Sequence, residues 1–68
     1  MVVSYNGKQY RLHKEFRIDV TSIPNEARLP GSSMVEGMDA KVYGRHGNAM
    51  LLFVWRPNEY YGAWGKEV

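Results

Sequence analysis

Apolar and polar residues alternate along YRLHKEFRIDV, residues 10–20, with the period of two that a half-buried strand requires. Tyr10, Leu12, Phe16, Ile18 and Val20 fall on one face. Arg11, His13, Glu15, Arg17 and Asp19 fall on the other. Lys14 alone stands in the apolar series, and a β-bulge there would turn it to water without breaking the flanking pattern. Upstream, Asn6-Gly7 suits a two-residue type I′ turn, because both central positions need positive φ. That turn pairs Tyr5 with Lys8 and Val3 with Tyr10. The pattern predicts a first strand over 2–5 and a long second strand over 8–20, bent near Lys14.

TSIPNEARLPGSS, residues 21–33, reads as a loop, since Pro24, Pro30, Gly31 and the serines oppose a continuous ladder. It is long for so small a domain, and long loops are disproportionately functional. Residues 32–43 admit two readings. In one, a short helical turn near 32–37 leads into a strand at 38–44, with Met38, Ala40 and Val42 alternating with Asp39, Lys41 and Tyr43. In the other, Ser33 caps a helix over 33–43 with Glu36 closing a capping box. AMLLFVW, 49–55, is apolar at every position. Such a run reads as a strand covered on both faces, at the centre of the sheet. RHGN (45–48) and RPNE (56–59) read as turns. YYGAWG, 60–65, is the last strand, with glycines that imply close backbone approach or a barrel corner.

The fold these elements predict is mainly β: a small antiparallel five-strand sheet or a partly open barrel of the SH3-like or OB-like type, with at most one short helix near 32–43. Closure into a barrel hides edges that would otherwise aggregate. An α+β sheet with one packed helix is the alternative.

The 68 residues form one domain over 1–68, with a thin core. Two Trp, five Tyr and two Phe supply large rings to fill it. Absence of cysteine excludes disulfides and thiolate metal sites. The formal charge of +2 admits nucleic acid or an acidic protein as partner and demands neither. No apolar run approaches the ~20 residues of a membrane helix, and MVVSYNGKQY lacks the pattern of a secretory leader, so the expected location is the cytoplasm.

Lys8, Arg11, Lys14 and Arg17 recur every third residue, which alternates their faces on a straight strand. Arg11, His13 and Arg17 share one face, diluted by Glu15 and Asp19; such a face serves either phosphate contacts or cross-strand ion pairs. WRPNEYYGAWG gathers Trp55, Arg56, Tyr60, Tyr61 and Trp64 within ten residues. Trp55 reads as core. On a strand Tyr60 and Trp64 share a face and Tyr61 takes the other, and one face looks outward if this strand is an edge. The 24–33 loop offers Arg28 and Leu29 to a partner. His13 and His46 are the only histidines, too few for a zinc site without cysteine. There is no nucleophile elbow, phosphate-binding glycine loop or carboxylate pair, so no enzyme, metal or cofactor is expected.

The sequence therefore predicts a non-enzymatic binding protein that docks on a partner protein as an adaptor or inhibitor, in the manner of small phage or plasmid accessory proteins. Tyr60, Tyr61, Trp64, Arg56, Arg28 and Leu29 are its candidate contacts, where Trp, Tyr and Arg are the usual hot-spot types. The alternative is a nucleic-acid-binding β domain using Arg11, His13, Arg17, Arg45 and Arg56, with Tyr60 or Trp64 stacking on bases. A homo-oligomer is compatible with either.

Overall fold

The computed structural model describes residues 1–44, 49–56 and 60–68. Their strands are β1 (Val2–Tyr5), β2 (Lys8–Leu12), β3 (Phe16–Arg17), β4 (Arg28–Val35), β5 (Met38–Gly44), β6 (Leu51–Trp55) and β7 (Tyr61–Glu67). All belong to one antiparallel sheet in the order β1-β2-β7-β6-β5-β4, with β3 paired to β7. The sheet curls into a half-barrel whose end strands, β1 and β4, approach each other. No helix longer than a single 3-10 turn occurs among the described residues, so the mainly β reading holds and the sheet-plus-helix alternative is not formed.

β6 has the two-faced burial its sequence requires. Phe53 and Trp55 enter the inner core with Val3, Tyr10, Leu12, Val35, Ala40, Val42 and Ala63. Leu52 and Val54 lie with Tyr43 in a second cluster on the outer face. The inner core is knit by three rings: Phe53 stands edge-on to Tyr5 at 6.4 Å and lies 5.7 Å from Tyr10. Gly65 is the place where β7 lets this ring in, because a Cβ there would meet Phe53 Cε1 at 2.6 Å. Trp55 is core as expected, with its indole N–H buried and lacking a hydrogen-bond partner among the described residues.

The predicted second strand over 8–20 is divided. Leu12 faces Gly65 and Phe16 faces Gly62, so four steps on this segment match three on β7. The extra residue is a bulge across 13–15, around the exposed Lys14. The bulge is where the sequence places it, but it does not preserve the flanking pattern. A shift of one residue moves every later side chain to the opposite face. Tyr10 and Leu12 point into the barrel, whereas Ile18 and Val20 pack on the outer cluster and Phe16 is exposed.

The predicted 21–33 loop contains two 3-10 turns, Val20–Ser22 and Asn25–Ala27, and then the first half of β4. The turns form a strap that lays Ile18, Val20, Ile23 and Ala27 over Tyr43, Leu52 and Val54. Asp19 fastens the first turn: its carboxylate accepts from the Thr21 hydroxyl at 2.7 Å and the Thr21 N–H at 3.0 Å. The side-chain bond first, and the backbone bond second, hold its carboxyl below the ordinary value. Pro30 and Gly31 (φ +84°) sit in a register shift of β4 between Arg28 and Ser32, the interrupted ladder that this composition demands.

Residues 33–43 hold neither the helical turn near 32–37 nor the alternative helix. Val35 pairs with Met38 around Glu36-Gly37, whose φ values are +52° and +75°. Asn6-Gly7 has the same signs, +52° and +79°, so each is a two-residue turn of the type that matches strand twist. The last strand is not an edge: β7 lies between β2 and β6. RHGN and most of RPNE fall outside the described residues.

Two outcomes follow. Gly65→Ala should lower stability by about 1–3 kcal/mol, the usual range for overpacking a filled core, read as a lower urea midpoint; an unchanged midpoint would mean that Phe53 can move aside. The Asp19 carboxyl, with its folded-state pKa below the ordinary ~3.9, contributes strap stability above that value and loses it as pH falls through the folded pKa. Acid titration followed at the Trp64 indole N–H should therefore report strap loosening there. Asp19→Ala should abolish that acid step, and a step that survives in the variant would assign it to another group.

Candidate functional site

The strap covers only part of the outer face. Beside it, Arg28, Ser32, Asp39, Lys41, Val54 and Tyr60 line a hollow of about 370 Å³. Register explains the gathering. Ser32 faces Lys41 and Lys41 faces Val54, so the three form one row across β4, β5 and β6. Met34 stands next along β4 opposite Asp39 and is 57% exposed. Arg28, Asp39 and Lys41 form no ion pair with described residues. Two free cations, one free anion, a tyrosine and an exposed methionine therefore share one surface.

Of the residues expected to bind a partner, Arg28 and Tyr60 meet at this hollow. Trp64 lies on the same outer face in a second, apolar hollow of about 390 Å³, with Ile23, Pro24, Tyr43 and Leu52. The rest are elsewhere. Leu29 is half-buried against the inner core, its methyls against Gly44. Tyr61 also packs on the inner core, and Arg56 lies over its ring at 4.8 Å from the centroid. The Arg56 guanidinium donates to the Glu36 carboxylate, which ties the β4–β5 turn to the end of β6.

The basic residues do not form the single face that the alternation predicts. Arg11 faces Lys66 of β7, whereas Arg17 faces Tyr61, on the inner parity of that strand. The 13–15 bulge separates them. Arg45 lies outside the described residues, as does His46. Arg11 and His13 remain together and, with Lys66, Glu67 and Val68, line a shallow hollow of about 240 Å³. Lys8 lies 3.9 Å from Glu67 in an exposed pair, worth little to stability.

Ser32, Asp39, Lys41 and Lys66 are the residues that sequence reasoning did not select. Asp39 and Lys41 carried a signal, since their alternation with Met38, Ala40 and Val42 puts them on the face away from the core. Ser32 carried none, because residues 21–33 read as loop.

Among the described residues no group of three His, Asp or Glu side chains gathers as metal ligands, and no helix is long and apolar enough to cross a membrane. The described surface offers shallow hollows, two with charged side chains in their lining and one apolar. The chain matches no protein-family model, no curated protein and no solved structure, so its reading rests on these residues alone.

Proposed function

We propose that this chain is a non-enzymatic binding domain that docks on a partner protein, as an adaptor or inhibitor, through the hollow between Arg28, Lys41, Asp39 and Tyr60. The observation that carries this reading is the mixture of unpaired charges of both signs around one tyrosine. A phosphate backbone would meet Asp39 as a repulsive neighbour. A protein surface that presents both signs can satisfy all three. The fitting partner offers a carboxylate toward Arg28 or Lys41, a cation toward Asp39, and an apolar side chain against Tyr60 and Met34. Methionine adapts its shape to such contacts, and tyrosine and arginine are common anchors.

A photo-cross-linking residue at Ser32 tests the reading in cells. One dominant protein adduct is expected. Binding of that identified protein to purified chain should weaken by about 2 kcal/mol or more on Arg28→Glu or Tyr60→Ala, as hot-spot truncations do, with the circular dichroism of the fold retained. An adduct with nucleic acid, or a protein adduct indifferent to Arg28→Glu, would overturn it.

A further inference from the structure

We propose that the outer face of β2 and β7 holds a second site, which binds a nucleotide unit of single-stranded nucleic acid, the phosphate on Arg11 and Lys66 and the base against Trp64. The site is separate from the Arg28 hollow and shares no residue with it.

The proposal starts from two like charges placed directly opposite each other. Arg11 and Lys66 are cross-strand partners on the same face. The flanking bonds, His13 N–H to the Trp64 carbonyl at 2.9 Å and Val68 N–H to the Gln9 carbonyl at 3.0 Å, fix the alternation of the ladder. They make Arg11–Lys66 a hydrogen-bonded pair, with Cα atoms about 5.5 Å apart. Like charges so placed destabilise a sheet. Neither is in an ion pair with a described residue; Glu67 lines the same hollow, with its charge taken up by Lys8. A divalent or bridging anion between the two heads would relieve the repulsion, and a phosphate carries the oxygens to accept from both.

The neighbouring positions supply the rest of a nucleotide's chemistry. His13 is bonded across to Trp64, and Trp64 lies two residues from Lys66 on the same face of β7. Arg11, His13 and Lys66 line one hollow with Glu67 and Val68, and Trp64 stands beside it in the neighbouring row of the ladder. Trp64 is half-buried and lines the apolar hollow of about 390 Å³ with Ile23, Leu52 and Tyr43. That volume falls in the roughly 300–1,000 Å³ of small-ligand sites. A base stacked on an aromatic side chain, with its phosphate on flanking cations, is the arrangement by which sheets hold unpaired strands. A duplex would keep its bases from Trp64.

The test is an NMR titration of the ¹⁵N-labelled chain at low salt with oligo(dT), thymidine 5′-monophosphate and inorganic phosphate as probes. Oligo(dT) should shift the Trp64 indole N–H and the Arg11, His13 and Lys66 amides saturably, and leave the Trp55 indole in place. The affinity should fall with salt with a log–log slope near −0.7, the value for one phosphate contacted on a single strand. Lys66→Glu should cut affinity at least tenfold and, by turning a repulsive pair into an attractive one, leave the thermal midpoint equal or higher. Arg11→Gln should also lose binding, so a misfolded variant would not decide the matter. Absence of the Trp64 shift, or full binding by Lys66→Glu and Arg11→Gln, would overturn the site. Equal affinity for the mononucleotide would overturn the assignment to a strand, and response to inorganic phosphate alone would overturn the role of Trp64. None of these outcomes touches Arg28 or Tyr60, so the protein-docking reading fails or stands separately.

Discussion

A strand that is apolar on both faces sets the terms for the whole molecule. Leu51–Trp55 must be covered above and below, and the described chain has no helix to do it. The inner face is covered by curling: β1 and β4 come round until Val3, Tyr10, Val35 and Val42 surround Phe53. The outer face cannot be served by the same curl. It is covered by the 3-10 strap, whose Ile18, Val20, Ile23 and Ala27 lie over Leu52 and Val54. The bulge at 13–15 makes both possible with one stretch of chain. Without its extra residue, Ile18 would stay on the face of Tyr10 and Leu12 and be lost from the cover of Leu52. The exposed Phe16 accompanies this crossing from one face to the other.

The curl leaves a seam where β1 meets β4, and side chains rather than a ladder span it. The Ser33 hydroxyl, nine-tenths or more buried, donates to the Ser4 carbonyl at 2.5 Å, and the Tyr5 hydroxyl donates to the Pro30 carbonyl at 2.5 Å. Each takes up a strand-edge carbonyl, the kind of group that recruits foreign strands when left open. Pro30 serves the same end, since it has no N–H to offer. The other end of the barrel is tied by Arg56 to Glu36, two residues with φ near +60° and +50° that are neither glycine nor asparagine. Such backbone is unfavourable for these residue types, and here the ion pair and the Tyr61 ring hold both ends in place.

Local signals were legible where one force decides. Asn6-Gly7 specifies its turn, the β6 run specifies its burial, and Lys14 marks its bulge. The consequence of the bulge was hidden, because alternation alone shows that residues share a parity, not that the parity persists through an inserted residue. Arg11 and Arg17 therefore looked like neighbours and lie on opposite faces. Glu36-Gly37 misled in a similar way: Ser33 and Glu36 have the spacing of a capping box, and only the pairing of Val35 with Met38 decides for a hairpin. β4 was concealed by Pro30 and Gly31, which end a central strand but are tolerated on an edge with a register shift. The Arg28 hollow depends on β4 and so was out of reach, although Arg28 and Tyr60 were selected individually. Lys66 gains its meaning only from the register that sets it opposite Arg11.

Both candidate surfaces follow from the way the outer face is roofed. A helix packed there would have covered β4 to β7 together. The strap, short and without a fully buried residue of its own, crosses the middle and leaves Ser32 exposed with Lys41 and Tyr60 half-buried at one end, and Trp64 half-buried at the other. A thin domain that cannot spare residues for a second layer thus presents hollows of different character: one carries charges of both signs around Tyr60, one is apolar beside Trp64, and one gathers Arg11, His13 and Lys66.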